Sequence, residues 1–493
     1  MHLEIRTTKG KHYGLLRSSF RDNGKVLHKN HGTISGVPLH TLELIKKALK
    51  DEDFVSNSKS SVSKSKEYGA SYVFKELAKD LGLDKMIYSK PEQQWVKDSL
   101  AMIIGRIVFQ GSKLAISSVS NISYLWELNG VIGEVDVDKH CYNSMDKLLL
   151  RQQAIQKQLI SKHLSNNVMI FYDITSSYLE GEYKDSELVK FVYSRDGKKG
   201  YEQICIGLLC NDEGCPVSVE VFPGNTQDAQ TVINKVTELK ETYGIEDIIF
   251  VGDRGMVTAS NYDKLIKENN LFTITALTHR QIKDLLKRDV IQLELFDKNK
   301  IIEIIDPDDT SKRYCLNYNE ANAFRQTSTR RNILTKIGDK LTKLSQSKKR
   351  YKNEMLWKMT GKIFAGKGME KFFNYSISDN VLTWNYNEEL IKEAELLDGC
   401  YIITTNTASE ILDKNEVVKG YKKLRNVEDA FRLLKTVKLE IRPIYHHNDD
   451  RIKAHVFICM LSYYLLWHFK KRIESLLKNQ KKGKYRKITL DSV

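Results

Sequence analysis

The sequence predicts an α/β protein built on a mixed β-sheet with helices on both faces. Two continuous apolar runs, residues 168–172 and 248–251, each end within two residues of an aspartate, and a strand hairpin and a helix separate them. Apolar runs of this kind are typical of strands that are covered on both faces. We expect the sheet to be interrupted by an insertion and to be preceded by a β-hairpin unit and a helical domain.

The region ahead of the sheet falls into three segments. Residues 1–50 alternate in polarity as strands do, and Asp-Asn-Gly-Lys at 22–25 predicts a tight turn, so we expect a β-hairpin unit. Residues 51–66 are rich in Ser and Lys, which cannot bury a core, and are predicted to be a linker. Apolar residues recur at helical spacing over 67–165, which predicts a helical domain. Its position suits DNA binding, and a purely structural scaffold is the alternative.

The predicted strands of the sheet follow one another in an informative order. After the first apolar strand come two strand-like runs, 203–210 and 216–222, then a helix at 227–243, the second buried strand, another helix and a further strand. In the RNase H-like fold this order places the first and fourth strands side by side. We therefore expect Asp173 and Asp253 to lie at the same end of neighbouring strands.

The catalytic region is predicted to be discontinuous. Its first part spans 166–280. Residues 281–396 show no obvious continuation of the sheet and are predicted to be an insertion. The second part, 397–470, is expected to resume the sheet and to carry one long helix over about 415–435. Residues 471–493 form a basic C-terminal tail.

The charge balance favours a polyanionic partner. The chain has 493 residues, with 78 Lys and Arg against 63 Asp and Glu, which gives a net charge of +15. Nucleic acid is the leading polyanion, and a basic but otherwise ordinary soluble protein is the alternative.

Cysteine usage and hydropathy indicate a reducing compartment and no membrane association. Seven cysteines are scattered over the chain, and Cys205, Cys210 and Cys215 fall in strand-like sequence without a CxxC pair, so we expect buried thiols rather than zinc ligands. No apolar stretch approaches the ~20 residues of a membrane span, and the first residues do not resemble a signal peptide. A cytoplasmic protein that acts on the nucleoid is expected.

The helix predicted over 415–435 presents two faces. One face is basic and aromatic around a single acid, and the other is apolar. The alternative is a solvent-exposed helix whose charged side chains form salt bridges with one another, which would produce the same pattern. The first face comprises Tyr421, Arg425, Glu428, Arg432 and Lys435, and the second Leu424, Val427, Phe431 and Leu434.

Three acids from different elements match the needs of phosphodiester chemistry. Such chemistry uses two divalent ions about 4 Å apart, and carboxylate oxygens are the ligands that Mg²⁺ prefers, with Mn²⁺ as a substitute. Asp173 and Asp253 follow predicted strands. Glu428 lies on a predicted helix, and its longer side chain can extend from the helix to the same metal ions. Each aspartate alone would be read as an ordinary turn residue.

The sequence resembles the DDE transposases of bacterial insertion sequences, in particular the class marked by Y-(2)-R-(3)-E-(6)-K. Tyr421, Glu428 and Lys435 fit that spacing, while Leu424 occupies the arginine position and Arg425 follows it. Phe-Tyr-Asp-Ile-Thr at 171–175 and Val-Gly-Asp-Arg at 251–254 resemble the first and second aspartate motifs of the family. The resemblance extends over about 168–469.

The resemblance implies Asp173, Asp253 and Glu428 as catalytic, metal-binding residues. It implies metal-dependent nicking of double-stranded DNA at the terminal repeats of the element and strand transfer into target DNA, commonly through a hairpin intermediate. We expect a homodimer on DNA.

The resemblance also implies residues that contact DNA. Tyr421, Arg432 and Lys435 would contact backbone phosphates, and Arg425 and Arg254 are further candidates. Trp357, in the insertion, is a candidate for stacking on a flipped base, with core packing as the alternative.

Two other functions fit the same motifs. One is a domesticated relative that binds DNA ends without cutting them, and the other is an RNase H-like nuclease without strand transfer. His446, His447 and His455 match no closed four-ligand metal site, so we interpret them as structural or supporting residues.

Overall fold

The protein divides into two compact units, Met1–Lys66 and Glu67–Val493. Residues 51–64 of the predicted linker and most of the predicted basic tail lie outside the described residues. The computed structural model describes residues 1–50, 65–164, 168–191, 200–245, 248–253, 256, 271–296, 300–366, 368–436, 439, 441–442 and 444–478.

The N-terminal unit is a three-stranded antiparallel meander with one helix. It has one strand and one helix more than the hairpin that the sequence indicated. The predicted turn joins the second and third strands, where Asn23 and Gly24 both adopt positive φ. Leu3 and Leu42 are fully buried and join the sheet to the helix. The elements are β1 (His2–Thr8), β2 (Lys11–Asp22), β3 (Lys25–Ile34) and α1 (Leu39–Ala48).

Helices occupy the region between residues 67 and 165, but they do not form a core of their own. Their buried side chains belong to one continuous core with those of the catalytic sheet. The long C-terminal helix connects the two parts, because it packs on α4, on α7 and on a strand of the sheet. The helices are α2 (Gly69–Asp80), α3 (Leu83–Ile87), α4 (Gln94–Val108), α5 (Lys113–Ser118), α6 (Leu125–Leu128), α7 (Asn143–Leu150) and α8 (Gln152–His163).

The catalytic sheet has the RNase H-like strand order that the sequence predicts. Its first strand, β4, pairs antiparallel with β6 on one side and parallel with β8 on the other, and β9 continues parallel to β8. β7 completes the predicted hairpin with β6. The elements here are β4 (Val168–Tyr178), β5 (Lys190–Phe191), β6 (Glu202–Cys210), β7 (Pro216–Pro223), α9 (Asp228–Glu241), β8 (Ile248–Val251) and β9 (Phe272–Ala276). The helix predicted between β8 and β9 lies outside the described residues.

The predicted insertion is not wholly outside the sheet, which corrects the sequence interpretation. β10 and β11 extend the sheet through β14, with Arg313 of β11 opposite Thr405 of β14. Arg313 forms an ion pair with Glu303 of β10 and donates hydrogen bonds to the carbonyls of Thr407 and Leu412. These contacts stabilise the added edge. The elements are α10 (His279–Lys287), β10 (Ile302–Ile305), β11 (Arg313–Tyr318) and β14 (Cys400–Thr405).

The remainder of the insertion has a separate small core. Leu341, Phe364 and Phe373 are among its buried side chains. It is built from two helices, a two-stranded hairpin and a third helix: α11 (Glu320–Ser345), α12 (Asn353–Phe364), β12 (Phe373–Ser378), β13 (Val381–Tyr386) and α13 (Glu388–Leu396).

Three helices follow the sheet. The single helix predicted over 415–435 is in fact two, α14 (Lys414–Lys423) and α15 (Arg425–Lys435), which meet at the buried Leu424. The last helix, α16 (Asp449–Lys478), is long and apolar enough to cross a membrane, and 78% of its most apolar window is buried inside the protein. Such burial is typical of a core helix. Among the described residues, a second candidate for a membrane-spanning helix arises only if α4 and α5 are joined across a 98° bend.

Candidate active site

Each of the two aspartates lies two residues beyond the last aligned pair of the parallel strands β4 and β8. Phe171 of β4 pairs with Val251 of β8, and Asp173 and Asp253 each follow two residues later. Neighbouring strands lie about 4.8 Å apart, and residues two apart on a strand share a face. Asp173 is half-buried and Asp253 is exposed. Asp173 lies within β4, opposite Leu208 of β6, whereas Asp253 lies two residues beyond the end of β8, so only Asp253 follows its strand as the sequence predicts.

Backbone contacts hold both aspartates. The N–H of Ile174 donates to Oδ1 of Asp173 at 2.8 Å. The carbonyl of Asp253 accepts from the N–H of Met256 at 3.0 Å, which closes a turn directly after β8. Gly252 allows this turn, because a Cβ there would lie 2.6 Å from the Phe250 ring and 3.1 Å from Met256 Sδ.

The break at Leu424 sets the direction of the helix that carries Glu428. Asp413 caps the start of α14 in a capping box with Glu416, and α14 packs closely on the sheet at Gly420, where a Cβ would lie 2.7 Å from Met169 Sδ. Leu424 stands where the family motif has its arginine. Its side chain is buried in the core, so no cation could occupy this position without burial.

The helix α15 runs alongside β4. Asn426, near its start, approaches the β6–β7 turn at Gly214, and Lys435, at its end, donates a hydrogen bond to Thr175 of β4. Glu428 precedes Lys435 by about 10 Å along the helix axis, a distance equal to about three strand residues. Glu428 lies in the first turn of α15, the helix that packs along β4.

Glu428 is exposed and lines a cleft of about 320 Å³ together with Tyr421 and Arg425. Among the described residues, the lining of this cleft includes neither Asp173 nor Asp253. The structure aligns the strands that precede the two aspartates, and it places Glu428 on the helix α15 beside two of the predicted DNA-contacting side chains.

The basic face of α15 is less uniform than the sequence indicated. Asp429, next to Glu428, forms ion pairs with Arg432 at 3.0 Å and with Arg425 at 4.0 Å. Both arginines remain largely exposed. Exposed pairs of this kind contribute little to stability, so both guanidinium groups can exchange Asp429 for a phosphate at small cost.

The two other predicted DNA contacts lie elsewhere. Arg254 lies outside the described residues. Trp357 lies on α12 outside the small core of the insertion, where the residue is 51% exposed and its ring centre lies 5.8 Å from that of Tyr375. The tryptophan is not fully buried in a core, and one part of the indole is available for stacking.

The histidines and one of the cysteines acquire neighbours that the sequence did not indicate. His455 is buried against Lys113 and Arg106 of the helical region, more than 340 residues earlier in the chain. Cys215, predicted to be an ordinary buried thiol, has its sulfur within 4.8 Å of ring nitrogens of His163 and His468. Neither grouping has a local sequence signal, because each joins segments that meet only in the folded protein.

A buried ion-pair network behind the sheet was also missed by sequence reasoning. Lys235 of α9 is 1% exposed and donates hydrogen bonds to Glu220, to Glu238 at 2.6 Å and to Ser218 at 3.1 Å. Burial raises the pKa of Glu220, against the attraction of Lys235. The network joins α9 to β7.

Comparison with known proteins identifies the class of enzyme. A family model described as a transposase DDE domain matches residues 171–465, more than half of the chain. The chain therefore belongs to the DDE transposase family, whose members cleave DNA and transfer its strands and generally use divalent metal ions. It is a DNA transposase.

Comparisons with solved structures and with curated proteins give less information than the family model. Among solved structures, a Mos1 transposase in a paired-end complex with the left transposon end shares 17% sequence identity with the chain, with a TM-score of 0.16. The match covers 48% of this chain and 68% of that one. None of the curated proteins matches the chain.

Proposed function

We propose that this transposase cleaves DNA at the ends of an insertion sequence and joins the freed 3′ hydroxyls to target DNA, with Asp173, Asp253 and Glu428 as its catalytic acids. The observation that carries the proposal is the parallel register of β4 and β8, which aligns Phe171 with Val251, each two residues ahead of an aspartate. The helix that carries Glu428 runs along β4 and ends beside Thr175, two residues beyond Asp173. The proposal is supported by packing, because the acids come from β4, from the residues after β8 and from α15, and both β8 and α15 pack against β4.

The donor set suits a pair of divalent ions. Carboxylate oxygens are hard ligands, and Mg²⁺ or Mn²⁺ bound by a few acids keeps several waters. Two bound ions would promote formation of the attacking oxygen and stabilise the leaving oxygen. The chain's own contribution is to hold the acids, through the Ile174 N–H on Asp173 and the turn that fixes Asp253.

The side chains around Glu428 suit the backbone of double-stranded DNA. Tyr421 and Arg425 line the cleft beside Glu428, Arg432 lies one turn further along α15, and Lys435 is held by Thr175. These groups supply the hydrogen-bond donors and charge that phosphate oxygens accept. The spacing of Tyr421, Glu428 and Lys435 supports assignment to the Tyr-Arg-Glu-Lys class. In this proposal Arg425 performs the role of the motif arginine, because the arginine position of the motif holds the buried Leu424.

Because an element has two ends that must be processed together, we propose that the enzyme acts as a homodimer on DNA. Light scattering of the protein with and without a duplex that carries the element's terminal repeat would measure this. Two protomers per paired complex are expected, and a single protomer bound to each separate duplex would contradict the assignment.

Removal of divalent metal should stop the reaction without unfolding the protein. With Mg²⁺ we expect a nick at the terminal repeat and a joined product when target DNA is added; EDTA should eliminate both products, and Mg²⁺ or Mn²⁺ should restore them. Gel analysis of end-labelled duplex measures this.

The products also distinguish the alternatives. Nicking without joining would identify a nuclease, whereas binding without nicking would identify a domesticated DNA-end-binding relative. Cleavage that persists in EDTA would contradict the metal assignment.

Substitution of Arg432 should weaken DNA binding without regard to sequence. Arg432→Gln removes one exposed cation from α15, so the slope of log affinity against log salt concentration should fall by about one. Fluorescence anisotropy at several salt concentrations measures it. Lys157→Met, which removes an exposed lysine from α8, is the matched control and should leave the slope near that of wild type. Equal slopes in all three proteins would place Arg432 outside the DNA interface.

A further inference from the structure

A cavity of about 530 Å³ lies between the helical region and the segment that connects α15 to α16. Three cationic and two imidazole side chains line it, and in the described part of the chain its lining includes no Asp or Glu. The lining residues are Arg106, Gly111, Ser112, Lys113, Leu114, Tyr142, Arg442, Tyr445, His446 and His455. A concave site with this charge is complementary to an anion.

The floor of the cavity is built from buried basic side chains. Arg106 and Lys113 are each 2% exposed and His455 is 4% exposed. Lys113 Nζ lies 2.6 Å from Nδ1 of His455, and Arg106 Nη2 lies 3.1 Å from Nε2. Nε2 of His455 also lies 3.1 Å from the Ile441 carbonyl, and Arg106 Nη1 donates a hydrogen bond to the carbonyl of Gly111, so the backbone holds these basic side chains in place.

Burial and the neighbouring basic side chains both disfavour protonation in this region. Burial, together with the charge of Arg106, lowers the pKa of Lys113 to about 7. Burial, together with Lys113 and the nearby Arg451 and Arg106, lowers the pKa of His446 to about 3. Adjacent cations in a site of low dielectric repel one another, and an anion between them would offset that cost. A metal cation would add to the repulsion.

The rim of the cavity connects it to the strand of the first catalytic acid. The Arg442 guanidinium lies 5.5 Å from the centre of the Tyr178 ring, and Leu179 bridges to Ile444. Tyr178 is the last residue of β4, about 16 Å along the strand from Asp173. DNA bound at the acids therefore lies within reach of this rim.

We propose that this cavity binds a phosphate group of the DNA backbone and so positions the substrate relative to the catalytic acids. The inference rests on the proposed function for its choice of DNA. The ammonium group of Lys113 supplies one positive charge at the floor of the cavity. The planar guanidinium group of Arg442, at the rim, can donate two parallel hydrogen bonds to two phosphate oxygens. Ser112 adds a hydroxyl beside them. Lys113, Arg442 and Ser112 are positioning residues, since they do not touch the reacting bond in this arrangement.

The test has two arms on the full chain. Calorimetric titration with inorganic phosphate, at constant ionic strength, measures the affinity of the cavity for phosphate. Fluorescence anisotropy with a mixed-sequence duplex measures the affinity of the protein for DNA. Lys113→Met keeps the length of the side chain and removes its charge, and Arg442→Gln is a second variant at the rim. Lys157→Met is the control for loss of a lysine charge elsewhere.

In Lys113→Met and in Arg442→Gln, we expect phosphate and duplex affinity each to fall roughly tenfold relative to wild type and to Lys157→Met. Wild-type protein that binds no phosphate would overturn the site. Phosphate binding that is lost in the variants while duplex affinity matches that of Lys157→Met would assign the cavity to a free phosphate compound and overturn the DNA assignment. If circular dichroism shows that Lys113→Met does not fold, the affinities of Arg442→Gln for phosphate and duplex decide whether the proposal holds.

These outcomes are separate from the proposed function. Metal-dependent nicking by wild-type protein tests the catalytic acids, whether or not the cavity binds phosphate. Nicking without phosphate binding would reject the cavity alone, and phosphate binding without nicking would reject the catalytic proposal alone.

Discussion

Replacing any one of Asp173, Asp253 and Glu428 by its amide is expected to abolish DNA cleavage. Asp173→Asn, Asp253→Asn and Glu428→Gln keep the size of each side chain and remove one negative charge from the metal-binding set. Loss of that charge weakens stabilisation of the reacting oxygens by several kcal/mol, so the rate should fall on the order of a thousandfold or more. Nicking of labelled duplex with Mg²⁺ measures the rate, and anisotropy measures DNA binding, which should stay near that of wild type.

The chain offers a matched control on the same helix. Asp429 follows Glu428 directly and pairs with Arg425 and Arg432 on the surface of α15. Asp429→Asn should therefore retain cleavage, with DNA binding unchanged or slightly tighter because the two arginines lose an acidic competitor. Retained cleavage in Glu428→Gln, or equal loss in Asp429→Asn, would contradict the assignment of Glu428.

Replacing Lys235 is expected to cause the largest loss of stability. Lys235→Met leaves Glu220 and Glu238 beside one another without their shared cation, and both carboxylates are largely buried. Removing one partner from a buried ion pair costs about 3–5 kcal/mol. The free energy of unfolding, measured by urea denaturation, should fall by about that amount. Lys157→Met, an exposed lysine on α8, should change it by about 0.5 kcal/mol or less.

A double substitution tests the cause of that loss. If the cost arises from unpaired carboxylates, adding Glu238→Gln to Lys235→Met should recover part of the lost stability. A loss that is equal in the single and double variants would indicate a packing defect at α9 instead of an electrostatic one.

Much of the catalytic sheet was predictable because its signals are local. The apolar runs ahead of Asp173 and Asp253 are long enough to identify strands covered on both faces, and the hairpin and helix between them define the strand order. The strand order of the RNase H-like fold follows from this sequence of elements. The family match over 171–465 confirms the predicted class of enzyme.

Other features were mispredicted for identifiable reasons. β10 and β11 are short, and their place in the sheet depends on the pairing of β11 with β14, which follows more than 80 residues later. The break at Leu424 interrupts a continuous amphipathic pattern, because tertiary packing can override a helical period. The helical region has its own periodicity, yet it shares one core with the sheet because α16 packs between them.

The amino-acid sequence alone determined the class of this protein, because the apolar strands and the motifs that resemble the family are each formed by residues adjacent in the chain. The tertiary structure decided which distant groups meet: Lys113 with His455, Lys235 with Glu220, and Arg313 with the carbonyls after β14. Such contacts join segments that are far apart in sequence and become neighbours only when the apolar faces of their helices and strands are buried together.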